Sequence, residues 1–427
     1  MYRPLSPPWN PAIPRPALVG LGLAALLLAV PATAQPWSQT FGGPGADLAF
    51  DVAPAVDGGA FAVGFTNTDL LIEGYVVKTD ADGELVWERS LSLSPLAETF
   101  YSVLPTASGG VVVAGSADDP DQPNYRPWLL ELDAAGNTVW SSEDAYTADL
   151  PVDSGLIRAV RLGDGRYAVI GGANSMTNPE QPWVLITDAV GDQVSFQQFG
   201  TLGTPGFGVA TYVNNLEATA DGGFIATGTV SGGLGFAYLW KFDAQGQPEW
   251  DRLYGADGFR EGFSVRQLAD GGYLATGCDL PNCNNTVVLR TDAAGAVTWR
   301  RLLDDPADRR SFGRDVLELP GGALLLLQTL DAAAGSRVIE TELLTLTAGG
   351  QTIVVEPIQV GEVTTAGYRL SRSGTGDLWL GGYANDTSDP VAIDLMVVLL
   401  EDSGRDAMIF QDGFEGGDWV RWSMARQ

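Results

Sequence analysis

The side chains able to do chemistry are few in kind. The 427-residue chain has no histidine and two cysteines. Without histidine there is no Ser-His-Asp or Cys-His triad and no His-ligated zinc, iron or copper site. Two cysteines cannot build a four-thiolate metal site or a four-cysteine iron–sulfur cluster. Cys278 and Cys283 enclose Asp-Leu-Pro-Asn, and in an oxidising compartment that spacing reads as a local disulfide. Carboxylates, by contrast, are abundant, at 53 Asp+Glu. Asp47, Glu98, Asp153 and Glu261 recur where an innermost strand is expected to begin. Carboxylates converging there could hold Ca²⁺, which takes about six to eight oxygens. Turn capping and plain surface solvation are the competing roles, since no Asp-x-Asp-x-Asp-Gly calcium loop is present. Acidic loops at Asp118-Asp119-Pro120-Asp121 and Asp304-Asp305-Pro306-Ala307-Asp308 read as solvated surface that is long enough to reach a ligand. Glycoside cleavage needs two carboxylates close in space rather than in sequence. Among so many acids the sequence singles out no pair, so no catalytic residue is assigned, and no cofactor other than calcium.

The charge balance narrows the partners. With 24 Lys+Arg, the formal net charge is −29, which disfavours nucleic acid and anionic lipid surfaces. A hydrophobic fraction of 45% is ordinary for a globular chain and excludes an acidic disordered polymer. Residues 1–34 carry Arg3 and Arg15, no acid, an apolar run from Ala17 to Val30, and then Pro31-Ala32-Thr33-Ala34. A basic start, a short apolar stretch and an Ala-x-Ala end describe a secretory signal peptide cut after Ala34. The run is too short to span a bilayer comfortably, and no cysteine near the cut supports a lipid anchor. The expectation is a protein that is secreted, periplasmic or at the cell surface, with no membrane insertion after cleavage.

The elements that must position these groups repeat. Asp57-Gly58-Gly59 recurs as Ser108-Gly109-Gly110, Asp164-Gly165, Asp221-Gly222-Gly223, Asp270-Gly271-Gly272, Pro320-Gly321-Gly322 and, degenerately, Thr375-Gly376-Asp377. Asp57 to Thr375 is 318 residues in six steps, a mean period of 53. A second hairpin follows each turn: YVVKTDADGELVW ends at Trp87, and its clear copies end at Trp140, Trp250 and Trp299. Its Asp-x-x-Gly turn starts at Asp80, Asp133, Asp188, Asp243 and Asp292, where the aspartate accepts from the backbone and the glycine takes positive φ. Each unit thus supplies four short antiparallel strands and no helical period. A four-stranded sheet cannot bury both faces alone, whereas seven packed radially bury one another. The fold expected over 35–410 is all-β, a seven-bladed β-propeller of four-stranded antiparallel blades, with a tail at 411–427. The four tryptophans, at the same outer position, are expected to pack between blades rather than stack a ligand. Ring closure has two candidates: Trp37 to Gly43, which matches the outer strand at Trp250 to Gly255, and residues 405–410.

The unit resembles bacterial extracytoplasmic propeller repeats of kelch and quinoprotein type, with the form W-x-x-x-[FY]-G-G … D-G-G-[FY] … K-x-D-x-x-G-x-x-x-W. The resemblance covers nearly all of 35–427 and implies a propeller and export. The hairpins are also similar to the docking repeats of pyrroloquinoline-quinone propellers. They lack the extra Thr and Lys of those turns, and the adjacent-cysteine pair is missing, so a quinone dehydrogenase is disfavoured. FQDGFEGGDWVRWS at Phe410 to Ser423 resembles the D-G-F-E-x-G-D … W-S tail of exported proteobacterial proteins. With no nucleophile–base constellation, the expected function is non-catalytic: a binding or scaffold module for a protein or glycan partner at the cell surface, through its loop faces. The alternative is an extracellular carbohydrate-active hydrolase or lyase using carboxylate or Tyr/Arg chemistry in the channel. An inward cluster of two acids with an arginine or tyrosine would favour it.

Overall fold

The computed structural model describes residues 37–68, 71–93, 97–118, 125–142, 157–172, 182–199, 211–230, 235–279, 283–304, 309–331, 339–358, 364–385 and 393–400. Residues 1–34, Asp153, most of both acidic loops and the tail lie outside them. Seven four-stranded antiparallel sheets account for nearly all of the described chain. Their innermost strands are Asp47–Pro54, Glu98–Pro105, Ile157–Arg161, Thr211–Ala218, Glu261–Gln267, Ser311–Glu318 and Thr364–Arg372, here taken as blades one to seven. These strands touch in a closed cycle, blade seven meeting blade one. The chain is therefore the seven-bladed β-propeller that its repeats predict.

Burial explains the strand types. The middle strands, such as Val111–Asp118, are apolar runs buried on both faces, because each blade lies between two others. Outermost strands alternate, as in Val297–Asp304, because one face is open to water. Apolar clusters sit between blades: Phe61, Val76 and Trp87 of blade one pack with Phe100, Val113 and Trp128 of blade two.

The two ends of the sheets differ. All thirteen described hairpins at one end, from 55–59 and 80–84 to 373–377, have five residues. In them Asp80 accepts from the N–H groups of Asp82 and Glu84 at 3.0 and 2.9 Å, and Gly83 takes φ +86°. Connections at the other end vary from two residues (69–70) to fifteen (142–156).

Closure is made by the first candidate. Trp37–Phe41 pairs antiparallel with Ile393–Leu400, Trp37 opposite Leu399, and completes blade seven. Residues 405–410 lie outside the described chain. In five blades an outer tryptophan packs against the turn of the next blade. Trp87 Nε1 donates to the carbonyl of Ala134 at 3.0 Å, and Arg89 Nε to that of Gly136 at 3.0 Å, both in the next blade's turn. Trp37 repeats the contact across the closure, donating to Ala81 at 3.0 Å. A Cβ on Gly83, Gly191, Gly295 or Gly350 would run into the preceding tryptophan at 2.5–2.8 Å. The tryptophans are structural, as their position predicts.

Candidate functional site: the axial collar

Six innermost strands carry a β-bulge at one level, and it skips Phe50, Tyr101, Asn214, Phe263, Arg314 and Tyr368. Opposite five of the bulges stands a glycine on the second strand. A Cβ on Gly115 would fall 1.9 Å from the Thr99 carbonyl oxygen, and one on Gly277 1.8 Å from that of Glu261. The glycine lets the bulged strand approach, and the bulge re-aims one side chain. Blade three has no bulge; its Arg158, opposite Ile170, is level with Asp51 opposite Val63, the residue after the bulge, but its guanidinium reaches the ring of Tyr101 and so joins the same group.

These seven residues form a collar round the axis. Phe50 lies 5.1 Å from Tyr101 and 5.8 Å from Tyr368, ring centre to ring centre. Arg158 lies over Tyr101 at 5.7 Å, and Arg314 over Tyr368 at 5.2 Å and Phe263 at 5.4 Å. Asn214 donates to the Gly262 carbonyl at 2.7 Å.

The residue after the collar ties each blade to its neighbour. Asp51 accepts from Val103 N–H (3.0 Å), Ser102 from Ala159 N–H (3.0 Å), and Asn215 from Val265 N–H (2.9 Å). Ser264 donates to Asp315, which also accepts from Leu370 N–H at 2.9 Å. Arg158 Nε reaches the Asn214 carbonyl (3.1 Å), and Arg369 pairs with Asp51 at 3.7 Å, so all seven interfaces are stitched. Arg266 crosses the axis, binding Glu217 at 3.1 Å, Asp315 at 2.8 Å and the Leu370 carbonyl at 3.0 Å.

Electrostatics follow this wiring. Burial alone would raise Asp315, yet Arg266 and Arg369 hold its carboxyl below the ordinary value. Burial would lower Arg266, but Asp315 and Glu217 hold it well above its usual range. Burial pushes Glu217 up in spite of Arg266. It also pushes Tyr383 up to about 12 and Tyr368 upward, so both phenols stay protonated at neutral pH. The sequence expectation set acids with arginine or tyrosine at the axis as the mark of an enzyme. Such a cluster is present, but its acids Asp51, Glu217 and Asp315 are bound to arginines and neighbouring backbone.

Three of the four calcium candidates are described, and each begins an innermost strand. Asp47 accepts from Gly43 N–H at 2.9 Å. Glu98 accepts from Ser92 Oγ at 3.2 Å and Leu93 N–H at 3.3 Å. Both fasten the loop that leads into their own strand. Glu261, raised by burial, lies beside Cys278 and Cys283, which form the expected disulfide. Among the described residues these three are the single group of metal-ligand types that comes together, and both sulfurs are committed to each other.

Sequence reasoning missed the collar and the arginines Arg158, Arg266, Arg314 and Arg369. The signal was there as an offset. Phe50, Tyr101, Asn214, Phe263 and Tyr368 stand seven residues before Asp57, Ser108, Asp221, Asp270 and Thr375.

No family model and no curated protein matches the chain. Among solved structures it is similar to the polysaccharide lyase Uly1 (TM-score 0.51, 10% identity, 84% of this chain and 90% of that one). It is likewise similar to an ulvan lyase solved with a bound -[GlcA(1-4)Rha3S]- saccharide (TM-score 0.51, 9% identity, 84% and 95%). The propeller domain of the trilobed protease of Pyrococcus furiosus aligns over 87% of this chain and all of its own (TM-score 0.46, 10% identity). At these identities the likeness shows the fold alone.

Proposed function

We propose that the protein is a non-catalytic binding module that takes a protein or glycan partner on its long-loop face, at the mouth of the collar. One observation carries this reading: the axial carboxylates are spent on joining blades, while the collar, midway along the innermost strands, holds aromatic rings and, in Arg314, a cation that no described carboxylate pairs with. The collar tyrosines Tyr101 and Tyr368 are raised by burial, and so can donate but not abstract a proton at neutral pH. The same proposal has residues 1–34 removed on export and the chain working outside the cytoplasm, as an extracytoplasmic protein of bacterial type. The disulfide supports it, and no helix among the described residues is long and apolar enough to cross a membrane.

The test is retention of the purified chain on fractionated envelope protein and on a panel of neutral and acidic polysaccharides, with sugar release followed in the same tubes. Saturable retention without product is expected. Calcium added or chelated in the same assay tests whether Asp47, Glu98, Asp153 or Glu261 holds an ion.

A second reading, an extracellular hydrolase or lyase, rests on Glu261. Its raised carboxyl feels the charge of Arg314 and would supply the acid or base that the axial carboxylates do not. Product release that is lost in Glu261→Gln would establish it and overturn the first reading.

A further inference from the structure

Arg314 differs from the other axial arginines. Arg266 and Arg369 pair with buried carboxylates, and Arg158 is spent on backbone carbonyls. Arg314 donates from Nε to Thr329 Oγ1 at 2.8 Å, and none of the described residues' carboxylates forms an ion pair with it. Three rings enclose it: Phe312 at 4.8 Å, Tyr368 at 5.2 Å and Phe263 at 5.4 Å from the guanidinium carbon. A guanidinium gripped through Nε is fixed in orientation, and its two terminal nitrogens form the fork that matches a carboxylate or sulfate. The rings around it offer flat apolar faces of the kind that sugar C–H groups cover. Burial disfavours the charge here, and the fields of Asp331 and Glu261, neither of them in ion-pair contact with it, offset this only in part, so a ligand anion would gain more than at an exposed arginine.

We propose that Arg314 and its aromatic cage bind one anionic sugar residue, through its carboxylate or sulfate ester, on the axis. The proposal deepens the binding-module reading and rests on it. The whole-molecule charge adds a restriction. At −29 the protein repels a long polyanion, while the field at Arg314 acts over a few ångströms only. The site therefore favours a chain end or a short oligosaccharide over the interior of a polymer.

The experiment is calorimetric titration of the full chain at about 0.15 M salt with tetragalacturonate, its carboxyl-reduced counterpart, a 6-sulfated neutral tetrasaccharide and long polygalacturonate. At least one anionic tetramer is expected to bind about tenfold or more tighter than the reduced one. Polygalacturonate should bind more weakly per chain end than the short acid, and Arg314→Gln should bring the anionic tetramers to the level of the reduced one. The uronate and sulfate arms tell the two sources of charge apart. Equal binding of charged and reduced tetramers, or an unchanged affinity in Arg314→Gln, overturns the assignment. The first comparison uses unaltered protein, so it decides even where the variant does not fold. Retention of a protein or neutral glycan with no preference for charge would end this proposal and leave the binding module standing. Retention of nothing in either assay would end both.

Discussion

Asp315 accepts from donors on three blades: Ser264 and Arg266 from blade five, Leu370 N–H from blade seven, and Val316 N–H from its own strand. It is fully buried, so removing its charge strands two arginines without replacing their partner. Breaking a buried pair from one side costs about 3–5 kcal/mol, and Asp315→Asn is expected to lose that much in denaturant unfolding. The pH dependence has a definite sign. An aspartate unfolds to a value near 3.8 and here is held lower, so its contribution is complete above that value and fades as pH falls through it towards the folded one. Asp221 behaves alike at the opposite end of the sheet. Burial would raise it, but Lys241, Thr219 and the Gly223 N–H hold it at about 2. Unfolding followed from pH 6 to pH 3 should therefore show less acid loss in Asp315→Asn than in the unaltered protein. Equal slopes would remove Asp315 from the account.

The paired glycine and bulge form the element that aims the collar. Gly115 has no positive φ, so Gly115→Ala carries no backbone strain beyond the 1.9 Å clash with the Thr99 carbonyl. Neither does Gly163→Ala, where nothing lies within 4 Å. Thermal melts should show Gly163→Ala nearly silent and Gly115→Ala destabilised by about 3 kcal/mol, the upper end for overpacking. The same comparison shows what the sequence made legible. Turns, strands and the tryptophan latch recur as residue types at fixed spacing, because every copy solves the same local problem, so the blades could be counted. The collar recurs as a position. Phe50, Tyr101, Arg158, Asn214, Phe263, Arg314 and Tyr368 are four aromatics, two arginines and an asparagine, and blade three drops the bulge, so a search for one residue type at a fixed spacing passes over them. In blade six the glycine itself changes strand, with Gly313 facing Gln328. Arg314 was hidden for a further reason: its importance lies in what it does not touch.

At the scale of the molecule, one short strand holds the ring shut. Without Trp37–Phe41, the strand Ile393–Leu400 would become an open edge carrying Leu395, Val397 and Leu399, all buried in the closed ring. Unpaired apolar edges associate. A chain starting at Gly42 is expected to melt roughly 5–10 °C lower and to form oligomers in light scattering. A monomer of unchanged stability would show that the latch at Ala81 and Gly83 is dispensable. The blades themselves are neighbour-stabilised units, so losing the closure loosens blades one and seven first.

That pairing also sets an order of events in time. Of the propeller's strands, Trp37–Phe41 is made first and its partner Ile393–Leu400 last, so the first strand waits for the last. Blades one to six can gather as they emerge, but the circle has no last stitch until the strand Ile393–Leu400 has emerged. Contacts between such distant parts of a chain form slowly. Until then the nascent propeller is an open arc, and its first strand is the one that cannot settle early.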